Sequence, residues 1–417
     1  MNFNTFSFHP QINAGIAAAG YSEPTPIQMQ SIPAILQGKD LLGLAQTGTG
    51  KTATFVLPIL QHLMKGPRGK LRALILAPTR ELAEQTHTFI TQLGRETGLR
   101  SLSVYGGVSA KPQIDALRKG VDIVIACPGR LLDLKSQHAI DLSNVEILVL
   151  DEADHMFDMG FLPSIRRIIE ALPTRRQTLL FSATMPDEVR SLATKILTNP
   201  VTVEISITKP LDTIRHAIYL VDQERKQALL LKLLGESGDG QVLVFTRTKH
   251  RAKKLTFQLQ EAKISATSLQ GNLSQAQREK AMGAFRRGSI KVLVATDIAA
   301  RGIDVSRVSH VINYDLPDTA DAYTHRTGRT GRMEHLGTAI SLVTQDDLQM
   351  VRTIERLMGQ PMELRKMDGF DAGFLNTRSS AQTRKLENRS SRQPQKSETA
   401  QPRTYNKNRY HSYAGTR

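Results

Sequence analysis

The chain has 417 residues, of which 40% are apolar, and a formal net charge of +16. That length suits about two to three domains, the apolar share can fill sizeable cores, and the positive charge points to a polyanionic partner, nucleic acid first. A single cysteine, Cys127, excludes an intramolecular disulfide and argues against a Cys-based zinc centre.

The N-terminal MNFNTFSFHP has neither a basic start nor an apolar run, so no secretory leader is expected. No stretch approaches the ~20 apolar residues of a membrane helix. A soluble, cytoplasmic protein with no membrane partner is expected.

Strand and helix patterns then alternate along the chain. DLLGLA, from Asp40, reads as a strand and TATFVLPILQHL, from Thr52, as a helix. RALILAP (from Arg72), VDIVIACP (from Val121), VEILVLDEAD (from Val145) and TLLFSAT (from Thr178) are nearly continuous in apolar residues. That suits strands buried on both faces of a parallel sheet. Helix-like ELAEQTHTFITQLGRE and LPSIRRIIEAL lie between them. After ISITKPLDTIRH (from Ile205), which reads as a linker around Pro210, the pattern restarts. QVLVFTRT, KVLVATDIAA, VSHVINYD and GTAISLVT are the later strands, with RKQALLLKLLGE and QREKAMGAFRRG as helices. Alternation of this kind predicts two α/β doubly wound, parallel-sheet domains.

The end of the chain differs. From Arg378 to Arg417 there are ten Lys/Arg and two Glu, with Tyr405, Tyr410 and Tyr413 interspersed and almost no aliphatic residues. Such a segment cannot bury a core and is expected to be disordered. Basic residues with interleaved aromatics suit single-stranded nucleic acid, through phosphate attraction and base stacking. The plainer alternative is a solubilising tail.

AQTGTGKT, Ala45–Thr52, nearly matches the phosphate-loop pattern, with Ala45 where the strict pattern has glycine. Gly48 and Gly50 let the backbone curl so that N–H groups face phosphate oxygens, and the following helix adds a favourable dipole. Lys51 is a cation for the β- and γ-phosphates, and the Thr52 hydroxyl suits a magnesium ligand. Further on, an apolar strand ends in Asp151 and Glu152. One carboxylate can hold Mg²⁺ and its neighbour can deprotonate an attacking water. In the later domain THRTGRTGR packs His325, Arg326, Arg329 and Arg332 into eight residues. Arginines there can stabilise charge on a transferring phosphoryl group, so two domains closing over one nucleotide are expected.

DEAD at Asp151–Asp154, together with AQTGTGKT, SAT and HRTGRTGR in this order, resembles the DEAD-box ATP-dependent RNA helicases over roughly residues 1–365. The compact core, GYSEPTPIQ and the short basic extension are most similar to bacterial RhlE-type members. The resemblance implies two tandem RecA-like domains. It implies a Q-motif region at 1–30, an ATP-binding domain at 31–205, a linker at 206–214, a C-terminal helicase domain at 215–365 and a basic tail at 366–417.

By the same resemblance Gln28 reads the adenine edge, with Phe3 and Tyr21 near that pocket. Ala45, Gln46, Thr47, Gly48, Thr49, Gly50, Lys51 and Thr52 hold the phosphates. Gly302 and Asp304 of RGID face nucleotide, Asp304 near the ribose. Lys51, Asp151, Glu152, Arg329 and Arg332 form the catalytic set, and Thr52 and Asp151 the metal site. Ser182, Thr184, Asp154 and His325 couple hydrolysis to strand separation. Pro78, Thr79, Arg80, Gly107, Gly129, Arg130, Arg247, Gly271, Thr296 and Asp297 contact RNA, with Gln275 and Arg278 among the RNA-side motifs. Cys127 replaces the threonine usual before PGR, which puts one RNA contact in doubt. Gln270 and Asn272 are further departures that leave the catalytic set intact.

The reading is therefore an RNA-dependent ATPase, using ATP and Mg²⁺, that unwinds short RNA duplexes or remodels RNA–protein complexes largely independently of sequence. An ATP-gated RNA clamp needs the same motifs, and duplex release on short substrates separates the two. A DNA helicase of the same superfamily is a third reading, which stimulation by RNA but not DNA excludes. A monomer is expected. Ribosomal precursors and RNA-decay proteins are the candidate partners.

Each single-strand phosphate contact contributes ~0.7 to the slope of log affinity against log salt, so four tail contacts contribute about 3. Removing residues 378–417 is expected to flatten that slope by about this amount in a salt titration of RNA binding. An unchanged slope identifies a solubilising tail.

Overall fold

The computed structural model of the chain describes residues 2–45, 48–205, 214–300, 308–330 and 337–373. The phosphate-loop residues Gln46 and Thr47, linker residues 206–213, Gly302 and Asp304, Arg332, and the tail from residue 374 lie outside the described residues.

Fourteen strands follow one another among the described residues: β1 (Leu41–Leu44), β2 (Ala73–Leu76), β3 (Ser101–Val104), β4 (Ile123–Ala126), β5 (Ile147–Leu150), β6 (Gln177–Ser182), β7 (Val201–Glu204), β8 (Ile214–Leu220), β9 (Gln241–Phe245), β10 (Ala266–Leu269), β11 (Val292–Ala295), β12 (Val308–Asn313), β13 (Gly337–Val343) and β14 (Glu363–Arg365). They form two seven-stranded sheets, in the orders β3-β4-β2-β5-β6-β1-β7 and β10-β11-β9-β12-β13-β8-β14. Every pairing is parallel. Subtracting seven from each label of the second order reproduces the first, so one topology is built twice.

Alternate residues of each strand serve opposite faces. In the first sheet Ile75, Ile125, Val149 and Phe181 enter one core, with the helices Pro26–Leu36 and Lys51–Leu63. Leu74, Leu76, Val124, Leu148, Leu150 and Leu180 enter the other, with the helix Leu162–Ile169. The second sheet likewise has a core on each face. Covering both faces explains why the central strands read as unbroken apolar runs. Carboxylates at the entry of the first sheet hold the backbone in place. Asp40 accepts from the N–H groups of Thr178 and Thr198, each at 2.7 Å, and Asp122 from those of Gly69 and Arg100.

Two parts of the sequence reading change. The segment read as a linker ends in Ile214, Arg215 and His216, which begin β8 and pair with Gly337, Thr338 and Ala339 of β13. The period-two alternation of a strand is masked there by Arg215 and His216. Residues 366–373, read as the start of the tail, lie against the second domain instead. Met367, Phe370 and Ala372 pack on its core, and the Lys232 ammonium lies 5.4 Å from the Phe370 ring centroid. The apolar residues of that short segment suffice to hold it down despite its basic surroundings.

His216 of β8 is buried, with Nδ1 2.8 Å from the Tyr323 hydroxyl and Nε2 without a hydrogen-bond partner. Burial brings its pKa down to about 4. The unfolded chain therefore binds the proton more readily, and stability present above pH ~6.5 is lost as pH falls toward ~4. Between about pH 7 and about pH 5 this site is expected to contribute a loss of about 2 kcal/mol. Urea denaturation at both pH values should show a smaller loss for His216→Gln than for the parent chain.

Candidate active site at the domain interface

Three neighbouring strands, β1, β6 and β5, end side by side and present three motifs. Leu44 pairs with Ser182, and Leu150 pairs with Leu180. In open parallel sheets, ligands bind beyond these carboxyl ends.

After β1 the chain turns through Gly48 (φ 89°) and Gly50 (φ 93°) into the helix Lys51–Leu63. Both values lie in the left-handed region that glycine adopts at little cost. Gly50 is also held closely. Gln28 Nε2 donates to its carbonyl at 3.1 Å, and a Cβ at position 50 would stand 2.6 Å from that nitrogen. The Gln28 carbonyl oxygen accepts from Thr25 N–H at 2.9 Å, closing a capping box at the start of Pro26–Leu36. The glutamine expected to read adenine thus also braces the phosphate loop, leaving its second N–H and second lone pair for a base edge. Tyr21 is half-buried, whereas Phe3 is buried in the core with its ring centroid 6.0 Å from that of Tyr21. Phe3 therefore supports the pocket from behind. Lys51 is buried and donates from Nζ to the Ala45 carbonyl at 2.7 Å, which spends one of its three donors across the loop.

β5 ends in three carboxylates, Asp151, Glu152 and Asp154, all buried. Each is compensated differently. Asp154 Oδ2 accepts from the N–H groups of Ala183 and Thr184 and from the Thr184 hydroxyl at 2.9–3.1 Å, while its own N–H donates to Ser182 Oγ at 3.1 Å. Burial pushes its carboxyl up, but the charges of His155 and Lys51, with the Thr184 N–H, bring the net shift down. The expected coupling set of Asp154, Ser182 and Thr184 is therefore one bonded unit.

Glu152 adopts left-handed backbone, φ 51° and ψ 55°, at the start of the helix Ala153–Asp158. Burial opposes its ionisation. The hydrogen bond from His155, with the charges of His155, Lys51 and Arg329, outweighs this and holds the carboxyl down to about 2. His155 Nδ1 lies 2.8 Å from Glu152 Oε2.

Asp151 takes the opposite course. Its Oδ1 is buried with no hydrogen-bond partner, and burial pushes the carboxyl up to about 7 against the pull of Lys51. A divalent cation would satisfy such an oxygen, and the half-buried Thr52 hydroxyl belongs to the same phosphate-loop site. Among the described residues no cluster of three or more His, Cys, Asp or Glu forms a metal site. A carboxylate oxygen with a hydroxyl is a donor set that fits magnesium, which retains waters and phosphate oxygens.

The second domain meets this edge through the helix Ala320–Thr327. His325 Nδ1 lies 3.3 Å from His155 Nε2, the two rings at right angles with centroids 4.9 Å apart. Arg329 is buried, and its charge acts on Glu152. Arg326 has a different duty. It makes a bidentate pair with Asp297, donates to Asn313 Oδ1 and the Asp315 carbonyl, and stacks 4.9 Å from the Phe245 ring. With four of its five donors taken, Arg326 anchors the helix that presents His325 and leads into Arg329.

The family model for DEAD/DEAH box helicases matches residues 25–192, and that for the helicase conserved C-terminal domain matches residues 225–334. The RNA helicase CrhR of Synechocystis sp. is 45% identical over 351 residues, 84% of this chain and 71% of that protein. The chain belongs to the DEAD-box RNA helicases. The DEAD-box ATP-dependent RNA helicase RhpA of Helicobacter pylori is 40% identical, covering 87% of this chain and 74% of that one. Among solved structures, S. cerevisiae Dbp5 bound to RNA and ADP BeF3 overlays with a TM-score of 0.80 at 33% identity, covering 88% of this chain and 96% of that chain. The fold is thus that of tandem RecA-like domains.

In this helicase the residues expected to contact RNA follow a different set of strands. Pro78, Thr79 and Arg80 follow β2, Gly107 follows β3, and Gly129 and Arg130 follow β4. Arg247, Gly271, and Thr296 with Asp297 follow β9, β10 and β11. Thr79 caps its helix by accepting from Leu82 N–H. Gly107 has φ 77°, and a Cβ there would collide with the Arg80 guanidinium. Arg130 donates to the Val108 carbonyl at 3.0 Å, while its Nη1 is buried without a partner. Arg247 is exposed, with a long 3.4 Å pairing to Asp318. Gly271 is exposed, with open space where a Cβ would stand. Cys127 precedes the helix Pro128–Ser136 without a side-chain cap, and burial pushes its thiol up to about 12, so it is inert as a nucleophile.

Gln275 and Arg278 also bridge the domains. Arg80 donates to Gln275 Oε1 at 3.1 Å, and Arg278 pairs with Glu81 at 2.6 Å. Sequence reasoning passed over Glu81 as a partner, and it passed over His155. A histidine three residues after Glu152 on a helix was the available signal, since that spacing shares a face.

Gly50→Ala is expected to weaken ATP binding by about tenfold or more, because alanine at this φ carries ~1–3 kcal/mol of strain and its Cβ displaces the Gln28 amide. Titration with a fluorescent ATP analogue measures it, and an unchanged affinity would show that the loop relaxes freely.

Proposed function

We infer that this ATP-dependent RNA helicase hydrolyses ATP between its two RecA-like domains and turns their closure into local unwinding of short RNA duplexes or remodelling of RNA–protein complexes. The observation that carries this reading is the buried, ionised Glu152 carboxylate facing the second domain, within reach of the Arg329 charge.

Glu152 acts as the general base for the attacking water. The loop from Ala45 to Thr52, with Gln46 and Thr47, cradles the phosphates through N–H groups, and Lys51 balances the β- and γ-phosphate charge. Gln28, Tyr21 and Phe3 form the adenine side, and Gly302 and Asp304 the ribose side. Arg329 and Arg332 stabilise charge on the transferring phosphoryl group. Thr52 and Asp151 would hold Mg²⁺ with the nucleotide's own oxygens, and the ion supplies neutralisation of phosphate charge when bound.

RNA lies along the other half of the two sheets. Loop N–H groups, hydroxyls and Arg80, Arg130 and Arg247 grip one strand by phosphates and 2′-hydroxyls, which is independent of base sequence. The bonded unit of Asp154, Ser182 and Thr184, with His325, transmits the state of the nucleotide to that grip. We place the chain nearest the RhlE-type members, as a cytoplasmic monomer acting on ribosomal precursors or in RNA decay. Residues 378–417 serve as a basic RNA tether.

Glu152→Gln tests the assignment of the base. It is expected to lower RNA-stimulated ATP hydrolysis by about 100-fold or more, the usual size of a general-base contribution, while RNA binding in the presence of ATP persists. Steady-state hydrolysis with and without structured RNA reads both properties. A variant that still hydrolyses ATP would remove Glu152 from the role.

A further inference from the structure

The side chain of His155 is buried between the catalytic carboxylate of one domain and the His325 imidazole of the other. Its two ring nitrogens are both engaged, one on each side. We propose that His155 is a positioning residue that makes the orientation of Glu152 depend on domain closure. The proposal rests on the reading of Glu152 as general base.

The geometry ties the ring from both sides. His155 Nδ1 lies 2.8 Å from Glu152 Oε2, and Nε2 lies 3.3 Å from His325 Nδ1, with the two rings at right angles. His325 Nε2 is buried and without a hydrogen-bond partner, so among the described residues this is the one polar contact of that imidazole. A partner on each nitrogen sets the rotation of the His155 ring and with it the bond to Glu152.

Only one link of this relay crosses between domains. When the domains separate, His155 loses the partner on its Nε2 side, and the ring is free to turn. Glu152 is then held by an unconstrained partner. Closure restores the second contact and fixes the carboxylate. His155 touches neither phosphate nor water in this scheme. It acts through Glu152.

The charged and titratable groups around the pair come from both domains. Asp154 Oδ1 accepts the His155 backbone N–H at 3.0 Å, and Glu152, Asp154 and Arg329 all act on His325. Gln at position 155 can donate to Glu152 and accept from His325 at once, whereas Ala does neither.

The test is a double-mutant cycle on the full-length chain, with RNA-stimulated ATP hydrolysis as readout. His155→Ala is expected to lower kcat by about tenfold or more with the KM for ATP changed less than about threefold. His155→Gln should recover a substantial part of that loss. His155→Ala/His325→Ala should be no slower than the slower single variant, because both remove the same relay. Thermal denaturation checks that each variant is folded, and the Gln variant carries the test should the Ala variant fail to fold. A kcat within twofold of the parent for His155→Ala, multiplicative losses in the double variant, or no recovery with Gln would overturn the proposal. Glu152→Gln run alongside separates the two readings. Hydrolysis surviving in that variant means the base is misassigned, whereas its loss beside a normal His155→Ala rejects the relay alone.

Discussion

Burying three carboxylates within four residues is the constraint around which the catalytic edge is arranged. Each ionised group in such a place costs several kcal/mol unless it is paired or hydrogen-bonded. The chain meets that cost in three different ways. Asp154 is saturated by the N–H and hydroxyl groups that follow β6, which makes it structural and ties two strand ends together. Glu152 is stabilised by a histidine and by an arginine charge from the other domain. Asp151 is left with an unpartnered oxygen. The order runs from a carboxylate saturated by backbone and hydroxyl donors, through one held by a histidine and an arginine charge, to one with an unpartnered oxygen.

The duplicated topology explains how one molecule keeps nucleotide and RNA apart yet connected. In each sheet the order divides into a set of three (β3-β4-β2 or β10-β11-β9) and a set of four. The phosphate loop, the carboxylates and the His325 helix all follow strands of the fours. The loops expected to meet RNA follow the threes. Each half carries its own bridge between domains. His155 meets His325 on the nucleotide side, while Arg80 with Gln275 and Glu81 with Arg278 do so on the other. The two domains are thus joined at both halves of the sheets.

The central strands were legible because both of their faces are buried, so ALIL, IVIA, ILVL and VLVA could be recognised by composition alone. The strands that escaped notice lie toward sheet margins, where burial is partial. SLSV and ATSL carry polar residues at half-exposed positions, and ELR is too short and too charged to read as a strand. The phosphate loop, DEAD and the arginine motif were legible because their chemistry demands particular residue types at fixed spacing. The division of labour among His325, Arg326 and Arg329 was not, since three basic residues within five positions look alike until their partners are known. Nor could the sequence tell that Gln28 braces Gly50, a contact between residues 22 apart.

Arg326 shows what that hidden division achieves. Four of its five N–H donors are spent on Asp297, Asn313 and the Asp315 carbonyl, which ties it into its own domain. Asp297 follows β11, among the loops expected to meet RNA, while Arg326 lies beside His325 on the helix Ala320–Thr327. The pair thus fastens that loop to the helix that meets His155. From Asp297 the bonds continue through Arg326 and its helix to His325, then across the cleft to His155 and Glu152. Every link but one lies inside a single domain. The exception is the contact between two imidazoles, the longest bond in the series at 3.3 Å. A route of rigid links with one separable junction responds to closure as a whole, which is what an enzyme needs if it is to hydrolyse ATP only while RNA is held.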